Sequence, residues 1–511
     1  MIFEKENSMR RYLTISSALI AVIALFAACS TSVPKDAKDN HKTVTVFPDY
    51  TEVTIPYNIA PLNFHVDDDD AEDYVSVVED KNGNQLVAGG QDAQFDEDDW
   101  HALLAENKGK NLTVTVYVQK QGQWEKYKPF TISVAEDPID EYISYRYIEP
   151  GYQNYNDLTL NQRNLTNFDE SIIFSNKMLS GVDMESEYQC INCHACQNYH
   201  TDNLQFHIRQ YKGGTIIVND GKAEKCNMKT DSTIASGVYP AWHPTEPVIA
   251  YSVNNTVQAF LIKDADHKIE VMDTLSDLIL YYVDTNDVQI VQKTNDSYET
   301  FPSWSPDGKT LYYCSAYFPI VGKKHHFEMG NHYDKLYYDL IRQSYDYKTR
   351  TLGEPDTVFK ASEKSKSASQ PRISPDGRYL LFSMSDYGYF NIHHVMSDLY
   401  VQDLKTYEVR PLKAMSSDKA DSYHAWSSNG RWIVFSTRRE DGNYTRLYIG
   451  YFDKNGKDHK AFALPQKSPL YNKEFMKSFN VPEFMVEPVK ISPRELAEAA
   501  SKEAKSAKLY K

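Results

Sequence analysis

The residues with the most specific chemistry in this chain are Cys190-Ile191-Asn192-Cys193-His194. Two cysteines three positions apart, with histidine directly after the second, carry the spacing that attaches a c-type haem. One turn of backbone can offer both thiols to the vinyl groups on one side of a porphyrin while the adjacent imidazole reaches the iron. On this reading Cys190 and Cys193 hold one covalent haem c and His194 is the proximal iron ligand. Spacing names no distal ligand. His207 is the first choice, because it is near in sequence and alternates with apolar Phe206 and Ile208; His200, Met184 and Met228 are rivals. Arg209 is then the expected partner of a haem propionate, since guanidinium pairs well with carboxylate. The bland alternative for His207 is a strand histidine facing solvent or satisfied in a core.

Other readings of the same thiols stay open. Cys190, Cys193 and Cys196 also begin an iron–sulfur spacing, but His200 stands where the fourth cysteine would be. Three thiols and a histidine would satisfy zinc. Ordinary disulfides are a third alternative, and if haem takes Cys190 and Cys193, a bridge from Cys196 to Cys226 is the expected pair, leaving Cys314 buried in its strand.

Covalent haem is attached outside the cytoplasm, so the motif requires an export signal. Arg10 and Arg11 precede an apolar run from Leu13 to Phe26 that ends in Ala27-Ala28-Cys29. A basic start, a short apolar stretch and small residues before a cysteine describe a lipoprotein signal over residues 1–28, with Met9 as the start and Cys29 as the lipidated residue; an uncleaved N-terminal anchor is the alternative. The membrane is then reached through an N-terminal lipid. The lack of acidic residues just after Cys29 leans toward an outer-membrane lipoprotein facing the periplasm. A formal charge of -16 argues against a nucleic-acid partner. At 511 residues the chain suggests two or three domains, and its 38 tyrosines favour strands over helices.

The elements that must position the motif are therefore strands, and the fold class is all-β. Residues 29–42 are polar and read as a tether. Residues 43–136 alternate apolar and polar positions in short runs, such as Val75-Ser76-Val77-Val78 and Leu112 to Val118, and are expected to form a β-sandwich of the Ig-like kind. From Tyr239 an internal repeat appears: Tyr239-Pro240-Ala241-Trp242, Phe301-Pro302-Ser303-Trp304-Ser305-Pro306-Asp307-Gly308, Gln370-Pro371-Arg372-Ile373-Ser374-Pro375-Asp376-Gly377 and His424-Ala425-Trp426-Ser427-Ser428-Asn429-Gly430. Ser-Pro-Asp-Gly supplies the residues of a type I turn, so each copy folds a strand back into a hairpin. Hairpins recurring at intervals of roughly 50 to 70 residues fit propeller blades.

This repeat resembles the TolB-like, WD40-like propeller family, whose blades carry the same Trp-Ser-Pro-Asp-Gly signature. The copies depart from it at Thr245-Glu246 and at Asn429. Residues 137–488 are expected to form a β-propeller with six blades, the segment from Tyr142 to Asn219 supplying those missing from the repeat. Tyr145 to Tyr152, the Cys-x-x-Cys-His run, Gly213-Gly214-Thr215 and Ser478 to Met485 further resemble haem-motif TolB-like proteins of Bacteroidetes, a resemblance that implies location and cofactor. Residues 489–511 read as a polar helical tail behind Ser492-Pro493.

No Gly-x-Ser-x-Gly elbow, phosphate-binding glycine loop or His-Glu-x-x-His is present. His325-His326, His332 and His393-His394 read as propeller loop tips, placed to gate a haem below them. Two functions follow as expectations. One is a membrane-anchored c-type cytochrome that passes electrons or senses redox state while its propeller docks a redox or envelope protein partner. The other is a TolB-like protein-binding propeller of the cell envelope in which the cysteine motif is structural.

Overall fold

The computed structural model describes residues 31–150, 157–179, 189–261, 269–294, 296–318 and 325–510, with no side-chain description for 325–327. Cys29, the expected lipid acceptor, and Met184 lie outside them. No helix among the described residues is long and apolar enough to cross a membrane.

The chain is all-β, an N-terminal β unit followed by a β-propeller. The N-terminal unit pairs Asp73–Glu79, Asn111–Lys120, Gln123–Lys128 and Phe130–Val134 in a seven-stranded sheet, against a three-stranded sheet of Val46–Phe47, Phe64–Val66 and Asp92–Ala93. Alternation in Asn111–Lys120 sends Leu112, Val114, Val116 and Val118 inward, where they share one core with Phe64 and Val66 of the smaller sheet. Two features differ from the sequence reading. The end of the expected tether, residues 38–42, belongs with Thr43 to an exposed edge strand, Lys38–Thr43, running parallel to Gln123–Lys128; it is held by backbone pairing, which leaves no apolar period. A helix, Glu97–Glu106, also enters this unit. Asp96 caps it by accepting from the Asp98 and Asp99 amides, and Trp100, Leu103 and Leu104 anchor it in the core.

Six further sheets follow among the described residues, each of four or five strands. The first joins Tyr142–Ile148, Thr159–Asn164 and Glu170–Ser175 to the C-terminal strand Ser478–Met485, so the end of the chain closes onto its beginning. The other five begin with the inner strands Gln189–Gln197, Val238–Trp242, Ser297–Trp304, Ser367–Ile373 and Asp421–Trp426. Each inner strand packs against the next, and Ser478–Met485 touches both Asp421–Trp426 and Gln189–Gln197, which completes the ring.

Every inner strand carries the same interruption. The ladder shifts register, and one non-glycine residue turns into left-handed backbone: Cys193, Tyr239, Phe301, Gln370, Tyr423 and Val481, all at φ between 47° and 58°. Such bulges re-aim side chains out of strict alternation. The residue three places later latches the ring where it is tryptophan. Trp242 Nε1 donates to the Ala195 carbonyl (3.2 Å), Trp304 Nε1 to Ala241 (3.0 Å) and Trp426 Nε1 to Arg372 (3.2 Å), each acceptor being the equivalent residue of the preceding sheet.

The repeat turns form as their residues require. Gly308 and Gly377 donate to the Ser305 and Ser374 carbonyls at 2.9 and 2.8 Å, with φ of 68° and 70°. At Thr245-Glu246 the serine hydroxyl is replaced by His243, whose Nδ1 accepts from both amides (3.3 and 3.0 Å). The tail keeps its helix only over Pro493–Ser501, capped by Ser492 and Glu495. Beyond it, Lys505–Ser506 and Lys508–Leu509 extend the second and third sheets as parallel edge strands.

The two turn glycines separate backbone strain from crowding. Gly377→Ala is expected to lower unfolding free energy by about 1 to 2 kcal/mol, the cost of left-handed backbone for alanine. Gly308→Ala should cost about 1 to 3 kcal/mol more, because a Cβ there meets the His243 ring whereas Gly377 faces open space. Urea denaturation of both variants checks the difference.

Candidate functional site

The six bulges converge on the ring axis around a chamber of about 140 Å³. Cys190, Cys193, His194 and Arg209 line it, together with Arg146, Gln370, Arg372, His424 and Glu483. Apolar wall comes from Ile148, Val271, Phe301 and Phe390. Over one side lies the long hairpin of Val248–Phe260 and Ile269–Tyr282, whose far half contributes Thr256, Gln258, Ile269 and Val271. Hydrogen bonds tie this hairpin to the loop after Ser385. Glu270 Oε2 lies 3.0 Å from His394 Nε2, and the Tyr389 hydroxyl donates to Asp273 Oδ1 (2.9 Å). His393 itself lines the chamber, and so sits at the axis and not at a loop tip.

Below the chamber, Arg372 Nη2 pairs with Glu483 Oε1 at 3.0 Å. Both residues also line a second cavity of about 460 Å³ on the turn side of the ring, bordered by Cys196, Trp242, Trp304 and Trp426. The ion pair therefore stands between two compartments of one axis.

His207 is elsewhere. It pairs across the ladder with Asn192 and lines a side cavity of about 380 Å³ with Arg209 and Gly214, its Nδ1 3.0 Å from Thr215 Oγ1. The bulge at Cys193 explains the separation: it breaks the alternation that would have put His194 on the same face as Asn192 and its ladder partner His207. The structure thus brings Cys190, Cys193, His194 and Arg209 to one chamber and leaves the expected distal ligand outside it.

The cysteines are all free among the described residues. A Cys196 to Cys226 bridge is not formed, since two strands of the same sheet lie between them, a separation of roughly 14 Å where a disulfide needs about 6 Å. Cys226 instead accepts from the Tyr281 hydroxyl at 3.3 Å. No group of three His, Cys, Asp or Glu side chains among the described residues is placed to hold a metal ion.

Whether the motif suits a haem can be judged from its backbone and its room. Thiols three residues apart reach one porphyrin edge from a single turn, but here the run is a strand, Gln189–Gln197, interrupted by a bulge at Cys193 and held in a ladder with His200–Gln210 on both sides of it. Cys190 packs in an apolar cluster with Ile148, Leu160 and Phe206, and Arg146 Nη1 lies 4.0 Å from its sulfur. A chamber of about 140 Å³ is close to the roughly 150 Å³ that holds one benzene ring. A porphyrin macrocycle is several times larger. The residues as folded do not fit that group.

Burial sets the protonation of the site. The His194 imidazole is pushed down to about 3 by burial, then by Arg146 and Arg372, against a hydrogen bond to the Ser144 backbone. His207 falls to about 3 through burial and Arg209, and His424 to about 3 through burial and Arg372. The Cys193 thiol is raised by burial, with Arg209 opposing, so it stays protonated and is a poor nucleophile. Arg146 holds its own strand's neighbours, Nη1 donating to the Ile191 carbonyl (2.8 Å) and Nη2 to Asn480 Oδ1 (2.7 Å).

Sequence reasoning missed Arg146, Gln370, Arg372 and Glu483 as chamber residues. Two signals could have found them. Cys193-His194-Ala195-Cys196 aligns with Tyr423-His424-Ala425-Trp426, and Val481-Pro482-Glu483-Phe484 with the Pro-bearing copies. Both escape the Ser-Pro-Asp-Gly pattern; after Cys196 the hairpin turns instead through Asn198 and Tyr199, both at positive φ.

No known protein-family profile matches the chain, and no curated protein matches it. Solved structures do resemble it. An ACO/RPE65 chimera aligns at 10% identity over 87% of this chain and 97% of its own, with TM-score 0.38. Oligogalacturonate lyase from Vibrio parahaemolyticus aligns at 13% identity over 82% and 100%, with TM-score 0.33. The tricorn protease aligns at 11% identity over 78% of this chain and 42% of its own, with TM-score 0.32. These likenesses are too distant to carry any activity to this chain.

Three imidazoles buried neutral make a pH dependence. Their native pKa values lie below the unfolded value, so the unfolded chain binds more protons between about pH 6.5 and 3, and stability falls as pH falls through that window. Each contributes a slope of about 1.4 kcal/mol per pH unit at most. His194→Asn and His424→Asn are each expected to flatten the loss of melting temperature from pH 7 to 4.5, as measured by calorimetry.

Proposed function

We propose that this protein is an exported, lipid-anchored binding propeller of six blades, in which the axial chamber takes a small ligand and the Cys-x-x-Cys-His run is a blade element. The supporting observation is the bond from Trp242 Nε1 to the Ala195 carbonyl. It gives Cys193-His194-Ala195-Cys196 the same place in its sheet that Tyr239-Pro240-Ala241-Trp242 has in the next one. The cysteines then owe their spacing to the inner strand, with Cys190 in apolar packing and Cys193 at the bulge. This is the TolB-like frame with a structural motif. Its envelope location rests on the Arg10 to Cys29 signal, and a protein partner in that compartment belongs to the same reading.

A covalent haem has one observation in its favour: His194 Nε2 is buried without a hydrogen-bond partner, beside both thiols. Coexpression of the full chain with a cytochrome c maturation system separates the two readings. The expected product is colourless, with no pyridine haemochrome band and no haem stain after denaturing electrophoresis; covalent haem at Cys190 and Cys193 would overturn the proposal. A second variant tests the blade equivalence itself. His194→Pro, which puts the residue of Pro240, Pro302, Pro371 and Pro482 into this copy, is expected to fold, losing about 1 kcal/mol for the missing imidazole hydrogen bond.

A further inference from the structure

We infer that the N-terminal β unit lies directly against the lipid bilayer, its Gly89-Gly90 edge on a layer of zwitterionic headgroups, an inference that rests on the lipid-anchor reading above. The starting point is the segment expected to be a loose tether. Thr31 packs over Gly89, so closely that a Cβ built there would meet the Thr31 hydroxyl oxygen at 2.6 Å. Gly89 opens a row of cross-strand partners. It pairs with Val75, Val75 with Tyr117, Tyr117 with Lys126, and Lys126 with Asp39. The row crosses from one edge of the sheet to the other, four strand spacings or roughly 19 Å. Between Thr31 and Asp39 the chain reaches at most about 27 Å, so it crosses with little slack. On the way the Asp36 carbonyl accepts from Gln123 Nε2 (3.5 Å).

Only Ser30 stands between this fixed segment and Cys29. Two residue steps span about 7 Å at most. A lipid on Cys29 therefore brings the bilayer surface to the edge that Thr31 covers, and the ring is carried with it. Trp432 Nε1 donates to the Pro138 carbonyl (2.9 Å), and the Tyr50 hydroxyl donates to the Ala463 carbonyl (3.4 Å). One apolar core runs from Val53 and Ile55 of the unit to Trp432 and Phe452 of the last sheet.

Charge selects the kind of bilayer. The Gly90 amide donates to the Tyr74 carbonyl (3.0 Å), and Gln91 Nε2 donates to Asp69 Oδ1 (3.0 Å), which places the acidic loop 67–72 beside the anchored edge. Within that loop Asp68 is neutralised by Lys120 Nζ at 2.7 Å. Over residues 43–136 as a whole, eighteen Asp and Glu stand against six Lys and no Arg. Anionic headgroups repel such a unit within a Debye length, whereas zwitterionic ones do not.

The test uses the full chain matured with its lipid and placed in vesicles of phosphatidylethanolamine and phosphatidylcholine. Palmitate labelling reads the anchor, and hydrogen exchange of peptides covering 67–74 and 85–91 reads the contact. The chain is expected to incorporate label that Cys29→Ser loses. Both peptides should exchange at least about threefold more slowly than in a variant with ten Gly and Ser residues inserted between Ser30 and Thr31, which keeps the lipid and supplies the missing slack. Equal exchange over 421–437 in the two forms reports an intact ring. Replacing the phosphatidylcholine by phosphatidylglycerol should remove the protection at low salt, and added salt should restore it. Absence of label overturns the anchor and the contact together. Label with equal exchange in both forms overturns the contact and leaves the anchor. Protection that phosphatidylglycerol leaves unchanged or increases overturns the zwitterionic partner and keeps the contact.

Discussion

The ring depends on one backbone constraint, a non-glycine residue held in left-handed conformation at the same point of every inner strand. Each such residue costs about 1 to 3 kcal/mol and persists only where its surroundings over-determine it. Here the preceding sheet supplies the surroundings. Phe301 donates its amide to Ser252 Oγ (3.0 Å), and Tyr423 donates its amide to Gln370 Oε1 (2.7 Å). The tryptophan three residues on reaches back to the same neighbour. Strain in one sheet is therefore offset by bonds to another, which couples the sheets into a ring and aims the strained side chains at its axis.

The axial chemistry follows from that geometry. Bulges set side by side crowd the chamber with groups that an ordinary strand would send between sheets, among them His194, His424 and Gln370. Crowding excludes water, and exclusion of water keeps the imidazoles neutral beside Arg146 and Arg372. A neutral imidazole and a protonated Cys193 thiol therefore line the chamber wall. The pairing of Arg372 with Glu483 stands between the two compartments of the axis, and over the other side of the chamber lies the hairpin tied to Tyr389 and His394.

Particular residues mark how far the amino-acid string could be read. Ser305-Pro306-Asp307-Gly308 and Ser374-Pro375-Asp376-Gly377 declare their turns because each position has a local reason for its residue, and both turns form. The helix Glu97–Glu106 was passed over, because it lay in a run that otherwise alternates, although Asp96 followed by three acids and an apolar spacing at Trp100, Leu103 and Leu104 signalled it. Lys38–Thr43 and Lys505–Ser506 were not legible, since an edge strand held by its backbone leaves no trace in side-chain periodicity. The Cys-x-x-Cys-His run shows the converse difficulty: its local pattern is specific for one chemistry, while its place in the ring accounts for the same residues another way.

Local signals thus determined the strand-rich class, the repeat and its turns, because those depend on residues near in sequence. Which side chains meet at the axis was decided only by closure of the ring. Arg146 and Asn480 are hydrogen-bonded although 334 residues separate them, and Gln370 shares a chamber wall with His194 from a different sheet of the ring. A bulge sets the direction of a side chain, but only the neighbouring sheet fixes what it faces.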